Sequence, residues 1–297
     1  MNAQLPPPIP RLDPARLIAA LAAQHGIHLE LIGTAADGEV GAAYVRWPDG
    51  RDGVLTTVGD DDPATGDRLR ETADMLELAR SHGLPVPRYD LVAAVPEPAA
   101  HVVVQERLPG APPQTVDPIL LDRMVAETDR WAGLLADRPA EPLPLYLTGS
   151  GPGFCLHESL ERYDQRTRRL LAVVHEIGQT GPDVITGDDL VHLDFHAGNL
   201  LVDPDGRITG IVDWDGWARG DRGFALVVLA YDLAWRRSDP AVRARLAELI
   251  NLTVPPDRRR RYDASLSLRQ VDWSIRHHGR AEVDFWLDVA ADRLDPC

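Results

Sequence analysis

The chain has 297 residues and a mass of 32.6 kDa, which fits one large domain or two smaller ones. Hydrophobic residues make up 44% of it and charged residues 26%, close to the globular average, which excludes a disordered chain and a coiled coil. The formal net charge is −15, so the field of the protein repels nucleic-acid phosphates and anionic lipid, and neither is an expected partner.

The cysteines and the ends of the chain predict a cytoplasmic protein. Cys155 and Cys297 are too few for a disulfide framework. The longest apolar run, residues 224–231, is far shorter than the roughly 20 residues that cross a bilayer, and the first ten residues lack the features of a secretory signal. All 31 basic residues are arginines, because the chain contains no lysine.

The first part of the chain has the pattern of a helix followed by a β-meander. Asp13-Pro14 predicts a helix over 15–25 with Asp13 as its N-cap. The apolar spacing over 68–81 predicts a second helix. Short apolar stretches between turn sequences predict strands over 28–32, 42–47, 53–58 and 101–105.

The second part is mostly helical. Apolar residues at intervals of three and four predict helices over 118–135, 157–177, 224–236, 239–251 and 263–278. Within 190–213 the pattern changes to a polar loop and a hairpin, with strands over 200–202 and 208–212. A proline-rich connector over 108–113 separates the two parts, so we expect a β-rich domain over 1–107 and a helical domain over 108–297.

The polar loop carries the residues that indicate chemistry. It reads Val191-His-Leu-Asp-Phe-His-Ala-Gly-Asn199, and Ile211-Val-Asp-Trp-Asp215 follows the hairpin. A tight hairpin brings its outer ends together, so we expect Asn199 and Asp213 to lie near each other, with the register left open. Their oxygens suit Mg²⁺, whose other ligands are often phosphate oxygens. Asp194 can then accept the proton of a hydroxyl group delivered beside that metal.

These residues resemble a known family. His192-x-Asp194, Asn199 and then Asp213 follow the pattern of kinase-like phosphotransferases, and the sequences HLDFHAGN and IVDWD are similar to the aminoglycoside phosphotransferase and choline kinase family. The resemblance implies an α+β, two-lobe protein-kinase-like fold, with a β-rich N-terminal lobe and a larger helical C-terminal lobe. It also implies an O-phosphotransferase that uses ATP (or GTP) and Mg²⁺.

The resemblance implies a role for each matching residue. Asp194 is the catalytic base or hydroxyl-orienting carboxylate, His192 supports it, and Asn199 and Asp213 are Mg²⁺ ligands. The nucleotide would be held by a loop over its phosphates, by a helix glutamate that normally pairs with a phosphate-binding lysine, and by a hinge that holds adenine. These correspond to Gly33–Gly41 with Gly38, to Glu71, and to Glu106 and Leu108.

One feature departs from the family pattern. The strand on which the family carries its lysine reads Gly53-Val-Leu-Thr-Thr57, and the chain has no lysine to offer. Arg46 could supply the charge, Thr56 and backbone amides could suffice, or nucleotide binding could be weak. The last alternative favours a kinase-like protein that sequesters a ligand without catalysis.

Other patterns leave alternatives open. His192, Asp194 and His196 also fit a metallohydrolase, but no further histidines follow at metal-ligand spacing. Near the C-terminus, aromatic and acidic residues fit either a cation site or core packing: Asp272, Trp273, Trp286 and Asp288.

The acceptor is expected to be a small hydroxylated molecule. The net charge favours a cation, such as an aminoglycoside or a basic peptide antibiotic of the capreomycin and viomycin type, and a small-metabolite or amino-alcohol kinase is the alternative. The carboxylates available to pair with amines in the helical part are Glu158, Asp164, Asp272, Asp284 and Asp288.

Overall fold

The computed structural model describes residues 11–35, 41–59, 62–97, 99–138 and 142–294. Within these residues the chain divides into two compact units. The first, which we call the sheet unit, contains the described chain up to Pro112 together with Leu200–Asp215. The second, the helical unit, contains Pro113–Asn199 and the described chain from Gly216 onward. The hairpin therefore groups with the N-terminal part of the chain, although its flanking segments group with the helices.

Helix α1 (Pro14–His25) opens the sheet unit as predicted. The Asp13 carboxylate accepts a hydrogen bond of 3.1 Å from the Arg16 N–H, and Pro14 occupies the first turn. The helix ends at Gly26 in the left-handed conformation, with φ of 66°.

A five-stranded antiparallel sheet follows, in the order β1-β2-β3-β5-β4. Its strands are β1 Glu30–Thr34, β2 Ala43–Arg46, β3 Asp52–Gly59, β4 Tyr89–Pro96 and β5 Ala99–Glu106. Leu17 and Leu21 of α1 pack against one face, where Val45, Leu55 and Val104 are fully buried. Since side chains alternate along a strand, Thr56 of β3 lies on the opposite face, in register with Val103.

Strand β1 lies two residues later than the predicted 28–32, and two other elements of the sheet unit differ more strongly from the predictions. Helix α2 (Thr65–Ser81) begins three residues before the predicted start. The prediction began too late because the first turn of the helix lacks apolar spacing. Strand β4 was not predicted. Its apolar run lies between Pro87 and Pro96, and prolines argue against a strand interior.

The predicted hairpin is confirmed. Strands β9 (Leu200–Val202) and β10 (Ile208–Ile211) are antiparallel, and their register pairs Leu200 with Ile211. The connector residue Ala111 exchanges two backbone hydrogen bonds with Val202, of 3.1 and 2.9 Å. Ile211 donates its N–H to the Pro85 carbonyl at 2.7 Å. These bonds tie the hairpin to the sheet unit.

The helical unit contains the remaining described elements. Its helices are α3 Pro118–Asp129, α4 His157–Tyr163, α5 Gln165–Gly178, α6 Gly223–Trp235, α7 Pro240–Thr253, α8 Pro256–His277 and α9 Arg280–Leu294. Its short strands pair as β6 Leu143–Pro144 with β7 Val184–Ile185, and as β8 Asp189–His192 with β11 Trp217–Gly220. None of the helices in the described ranges has the length and hydropathy needed to span a membrane.

Several helices of the helical unit differ from the predictions. The predicted helix over 157–177 is broken at Asp164, whose carboxylate accepts from the N–H groups of Arg166 and Thr167 and caps α5. Helix α3 ends at Asp129, six residues before the predicted end. Helix α8 begins at Pro256, seven residues before the predicted start, so the arginine run over 258–261 lies in its first turns. Helix α9 was not predicted, although its buried residues recur at helical spacing.

Candidate active site

The loop after β8 is held in place on both sides of Asp194. His192 lies opposite Trp217 in the β8–β11 register, and the Leu193 N–H donates to the Gly216 carbonyl at 2.9 Å. Phe195 is fully buried, with its ring edge-on to Trp131 at a centroid distance of 5.0 Å. Asp194 therefore projects from a segment fixed by sheet pairing on one side and by an aromatic core contact on the other.

Hydrogen-bond donors occupy both carboxylate oxygens of Asp194. His196 Nε2 lies 3.2 Å from Oδ2, and Arg269 Nη2 lies 3.3 Å from Oδ1. The Gly198 N–H donates to His196 Nδ1 at 3.0 Å, so the histidine carries its hydrogen on Nε2 and donates to Asp194. Burial raises the pKa of Asp194, but the His196 hydrogen bond and the Arg269 charge together hold that pKa well below its usual range. Asp194 is thus a stable anion.

His192 acts on the backbone of the loop. The residue is fully buried, and its Nδ1 accepts a hydrogen bond of 3.1 Å from the Asp194 N–H. This contact is local and main-chain directed, so it fits a supporting role in which His192 holds the Asp194 peptide in place.

Two further residues, which the sequence analysis did not identify, hold the loop. Asp232 of α6 accepts a hydrogen bond of 3.3 Å from the Ala197 N–H, and its other oxygen accepts from Arg236 Nε at 2.7 Å. The signal for Asp232 was present, since a carboxylate interrupts the otherwise apolar α6. Arg269 of α8 donates to the Leu193 carbonyl at 2.9 Å as well as to Asp194. No local motif marks it.

Asn199 ends the short turn Ala197–Asn199 and is nearly buried. Its Nδ2 donates to the Asp194 carbonyl at 2.9 Å and approaches Asp194 Oδ2 at 3.4 Å. Because the amide nitrogen is directed at Asp194, the amide oxygen is the atom left to bind a cation. Asn199 thus offers one hard oxygen ligand of the kind that Mg²⁺ prefers.

In the sheet unit, Asp213 follows β10 with φ of 65°, a left-handed conformation that is uncommon outside glycine. The next residue, Trp214, is buried and donates from Nε1 to the Ile211 carbonyl at 2.8 Å, which fixes the turn. Asp215, which directly follows Trp214, accepts a hydrogen bond of 3.1 Å from the Tyr89 hydroxyl. Burial and the Asp215 charge raise the pKa of Tyr89, so it remains a donor.

The donor chemistry fits a magnesium ion better than a zinc ion. Asn199 in the helical unit offers an amide oxygen, Asp213 in the sheet unit offers carboxylate oxygens, and each is the kind of hard ligand that Mg²⁺ takes beside phosphate and water. Within the described ranges, no group of three or more His, Cys, Asp and Glu side chains is arranged to hold a metal.

The residues expected at the nucleotide have mixed surroundings. Gly38 lies outside the described residues, which stop at 35 and resume at 41. Thr56 lies on the face of the sheet opposite α1, whereas Glu71 lies on the exposed face of α2. Arg46 ends β2 and pairs with Asp52 at 2.9 Å.

The expected hinge follows β5. Glu106 is its last residue, and its carboxylate accepts a hydrogen bond of 2.7 Å from Arg80 of α2. The Leu108 side chain packs against Gly210 of β10, where an added Cβ would lie 3.0 Å from Leu108.

The carboxylates expected to pair with acceptor amines have partners within the helical unit. Asp272 is fully buried and binds Arg276 at 2.9 Å and the Ser159 hydroxyl at 2.6 Å. Asp284 and Asp288 both bind Arg166, Asp164 caps α5, and Glu158 accepts from Ser150.

The tryptophans near the C-terminus differ in their surroundings. Trp286 is buried and stacked on Tyr231 and Trp235, so it belongs to the core. Trp273 is half-buried, and the Arg276 guanidinium lies 5.6 Å from the centre of its ring.

Solved structures share this fold over nearly the whole chain. A thermostable mutant of aminoglycoside phosphotransferase APH(4)-Ia is 19% identical with a TM-score of 0.69, over 93% of this chain and 98% of that one. Amicoumacin kinase hAmiN, solved with AMP-PNP, Ca²⁺ and Ami, is 16% identical with a TM-score of 0.68, over 96% of each chain. Macrolide 2'-phosphotransferase MphH from Brachybacterium faecium is 19% identical with a TM-score of 0.51, over 95% and 98%.

These likenesses confirm the kinase-like α+β fold that the sequence predicts. No curated protein matches the chain. The model of the phosphotransferase enzyme family APH matches residues 32–264, well over half of the chain. The chain belongs to that family, and the protein is a small-molecule phosphotransferase.

Proposed function

We propose that the protein transfers the γ-phosphoryl group of ATP, or of GTP, to a hydroxyl group of a small antibiotic-like molecule, with Mg²⁺ as cofactor. The observation that carries the proposal is the Asp194 carboxylate, ionised and fixed through both oxygens at the end of β8. Phosphoryl transfer depends mainly on positioning and charge stabilisation, which a fixed anion beside a hydroxyl group supplies.

Asp194 accepts a hydrogen bond from the acceptor hydroxyl and directs its oxygen at the γ-phosphorus. The new O–P bond forms as the bond to the β,γ-bridging oxygen breaks, ADP leaves, and the hydroxyl proton passes to Asp194. Asn199 and Asp213 would hold Mg²⁺, which supplies positive charge to the phosphate oxygens when bound. His192 and Asp232 hold the loop backbone during this step.

Residues 1–107 would supply most contacts to the nucleotide, with Leu108 completing the hinge, and residues 108–297 would supply the catalytic loop, the metal ligands and the acceptor site. Gly38 within its loop, Thr56 and Glu71 would serve the phosphates, and the backbone at Glu106 and Leu108 would hold the base. Arg46 is engaged with Asp52, so Thr56 and backbone N–H groups are the expected replacement for a lysine.

The acceptor is proposed to be a cation, an aminoglycoside or a basic peptide, which would make the protein a resistance enzyme of the cytoplasm, where ATP is supplied. The net charge of −15 supports this proposal. The carboxylates described above already have protein partners, so the attraction should act at long range through the field of the whole molecule.

The test is ADP release with ATP and Mg²⁺ over a panel of hygromycin B, capreomycin, a macrolide and choline. Transfer to at least one acceptor is expected, and Asp194→Asn should lower kcat roughly 100-fold or more while the protein stays folded. Nucleotide binding without transfer to any acceptor would instead favour the sequestering protein, a second candidate that the missing lysine supports.

A further inference from the structure

We infer that Arg269 is a positioning residue for the transfer reaction, because one guanidinium group fixes both the Asp194 carboxylate and the peptide that precedes it. This inference rests on the proposed function. Arg269 lies 75 positions after Asp194 in the chain, on α8 of the helical unit.

The two contacts use different nitrogens of the guanidinium. Nη1 donates to the Leu193 carbonyl at 2.9 Å, and Nη2 lies 3.3 Å from Asp194 Oδ1. Leu193 also donates its own N–H to the Gly216 carbonyl at 2.9 Å. The peptide groups of Leu193 are therefore held by α8 and by Gly216, the residue before β11, and the carboxylate that follows starts from a fixed backbone.

The two carboxylate oxygens of Asp194 accept hydrogen bonds from different side chains. His196 serves Oδ2, while Arg269 serves Oδ1. A carboxylate held through one oxygen can still turn about its Cβ–Cγ bond, whereas one held through both cannot. Since orientation of the acceptor hydroxyl depends on where the free lone pairs point, loss of Arg269 should reduce the fraction of productive complexes.

The helix segment that carries Arg269 is packed into the core. Leu268 and Val271 beside it on α8 are fully buried, as is Asp272. The Arg269 side chain itself is 33% exposed, so it acts at the border of the solvent-accessible site rather than inside the core. Removing it should leave packing of the helix intact.

Geometry and charge are separable by substitution. A lysine keeps the positive charge, but its three N–H donors share one nitrogen, so it cannot reproduce the two separate donor nitrogens of the guanidinium group. If orientation matters, Arg269→Lys should retain only part of the activity. If charge alone mattered, Arg269→Lys would match the wild type.

The experiment compares Arg269→Ala, Arg269→Lys and the control Arg260→Ala, an exposed arginine on the same helix. ADP release is measured with ATP and Mg²⁺, using the acceptor panel above and water as the acceptor. AMP-PNP affinity and Tm are measured in parallel. For Arg269→Ala we expect kcat to fall roughly 10- to 100-fold, as for the loss of a charge-assisted hydrogen bond.

AMP-PNP affinity and Tm should stay at wild-type values, added guanidinium should restore part of kcat, and Arg260→Ala should behave as the wild type. A wild-type kcat in Arg269→Ala would overturn the inference. So would a lower Tm and weaker AMP-PNP binding without guanidinium rescue, which is the pattern of a structural residue. If Arg269→Ala does not fold, Arg269→Lys decides by the same criteria. Failure of the wild type to transfer phosphate would remove the proposed function, and this inference with it.

Discussion

The hydrogen-bond donors around Asp194 make its carboxylate a weak base. With donors on both oxygens and its pKa held low, it is ionised throughout the neutral range but accepts a full proton poorly. Such a carboxylate suits a reaction in which the hydroxyl proton moves late, after most of the bond to the leaving group has broken. Its main contribution is therefore expected to be orientation.

Tyr89 should influence Mg²⁺-dependent nucleotide binding through its contact with the segment that carries Asp213, the proposed metal ligand. Its hydroxyl holds Asp215, two residues after Asp213, which has an uncommon backbone conformation. Tyr89→Phe should weaken AMP-PNP binding about three- to tenfold in the presence of Mg²⁺, since a hydrogen bond to a charged group is lost. Calorimetry with and without Mg²⁺ measures this.

The control for this prediction is Tyr163→Phe, a tyrosine of α4. This substitution should leave the affinity for AMP-PNP unchanged, both with and without Mg²⁺. An equal loss of affinity for Tyr89→Phe with and without Mg²⁺ would show that Tyr89 does not act through the segment that carries Asp213, the proposed metal ligand.

Gly110 in the connector allows the β9–β10 hairpin to pack closely against the connector backbone. Its φ is 105°, and an added Cβ would lie 2.8 Å from the Val202 carbonyl oxygen. Gly110→Ala should therefore lower the free energy of unfolding by about 2 kcal/mol or more, combining backbone strain with a clash against main chain. Chemical denaturation measures the change.

Gly26→Ala is a matched control, because Gly26 also has positive φ, 66°, but an added Cβ there meets nothing within 4 Å. It should cost only the backbone term, about 1 kcal/mol. Equal losses for the two variants would mean that the close approach at Gly110 contributes nothing.

A histidine pair links α5 to the segment that precedes α4. His157 donates from Nε2 to the Tyr146 carbonyl at 2.8 Å and accepts from His175 Nε2 at 2.9 Å. Burial, and then the neighbouring His157, lower the pKa of His175. Below the ordinary histidine pKa the unfolded chain therefore binds more protons than the folded protein, so this contribution to stability is present at neutral pH and is lost as pH falls.

Unfolding free energies measured between neutral and mildly acidic pH test this. The wild type should lose more stability on acidification than His175→Gln, which has no proton to gain. His28→Gln changes an exposed histidine and should follow the wild type. Parallel curves for the wild type and His175→Gln would contradict the expected role of the pair.

Interactions between residues close together in the chain could be predicted from the sequence, whereas those between distant residues could not. Asp194, Asn199 and the hairpin are linked by short spacings, so the loop, the two strands and their turn were predictable. Asp232 and Arg269 act across 35 and 75 positions, and no local pattern relates them to the loop. The break at Asp164 was missed because apolar spacing continues across it, and only its capping bonds end the helix.

For the whole molecule, charge gives a kinetic prediction. With a net charge of −15, capture of a cationic acceptor should be fastest at low salt, where the screening length is about 30 Å, and slower at physiological salt, where it is about 8 Å. The ratio kcat/KM for a cationic acceptor should fall several-fold over this range. A neutral acceptor is the control, and equal salt curves for both would contradict electrostatic capture.

Because Leu200–Asp215 belongs to the sheet unit, that unit contains residues made late in synthesis of the chain. Domains commonly fold in order as they leave the ribosome, the N-terminal one first. Here the sheet unit lacks its hairpin until residue 215 has emerged, by which point much of the helical unit has been made. A nascent chain released at Pro112 would expose the Ala111 backbone groups that Val202 satisfies in the finished protein. Folding of the first unit is therefore tied to translation of the second.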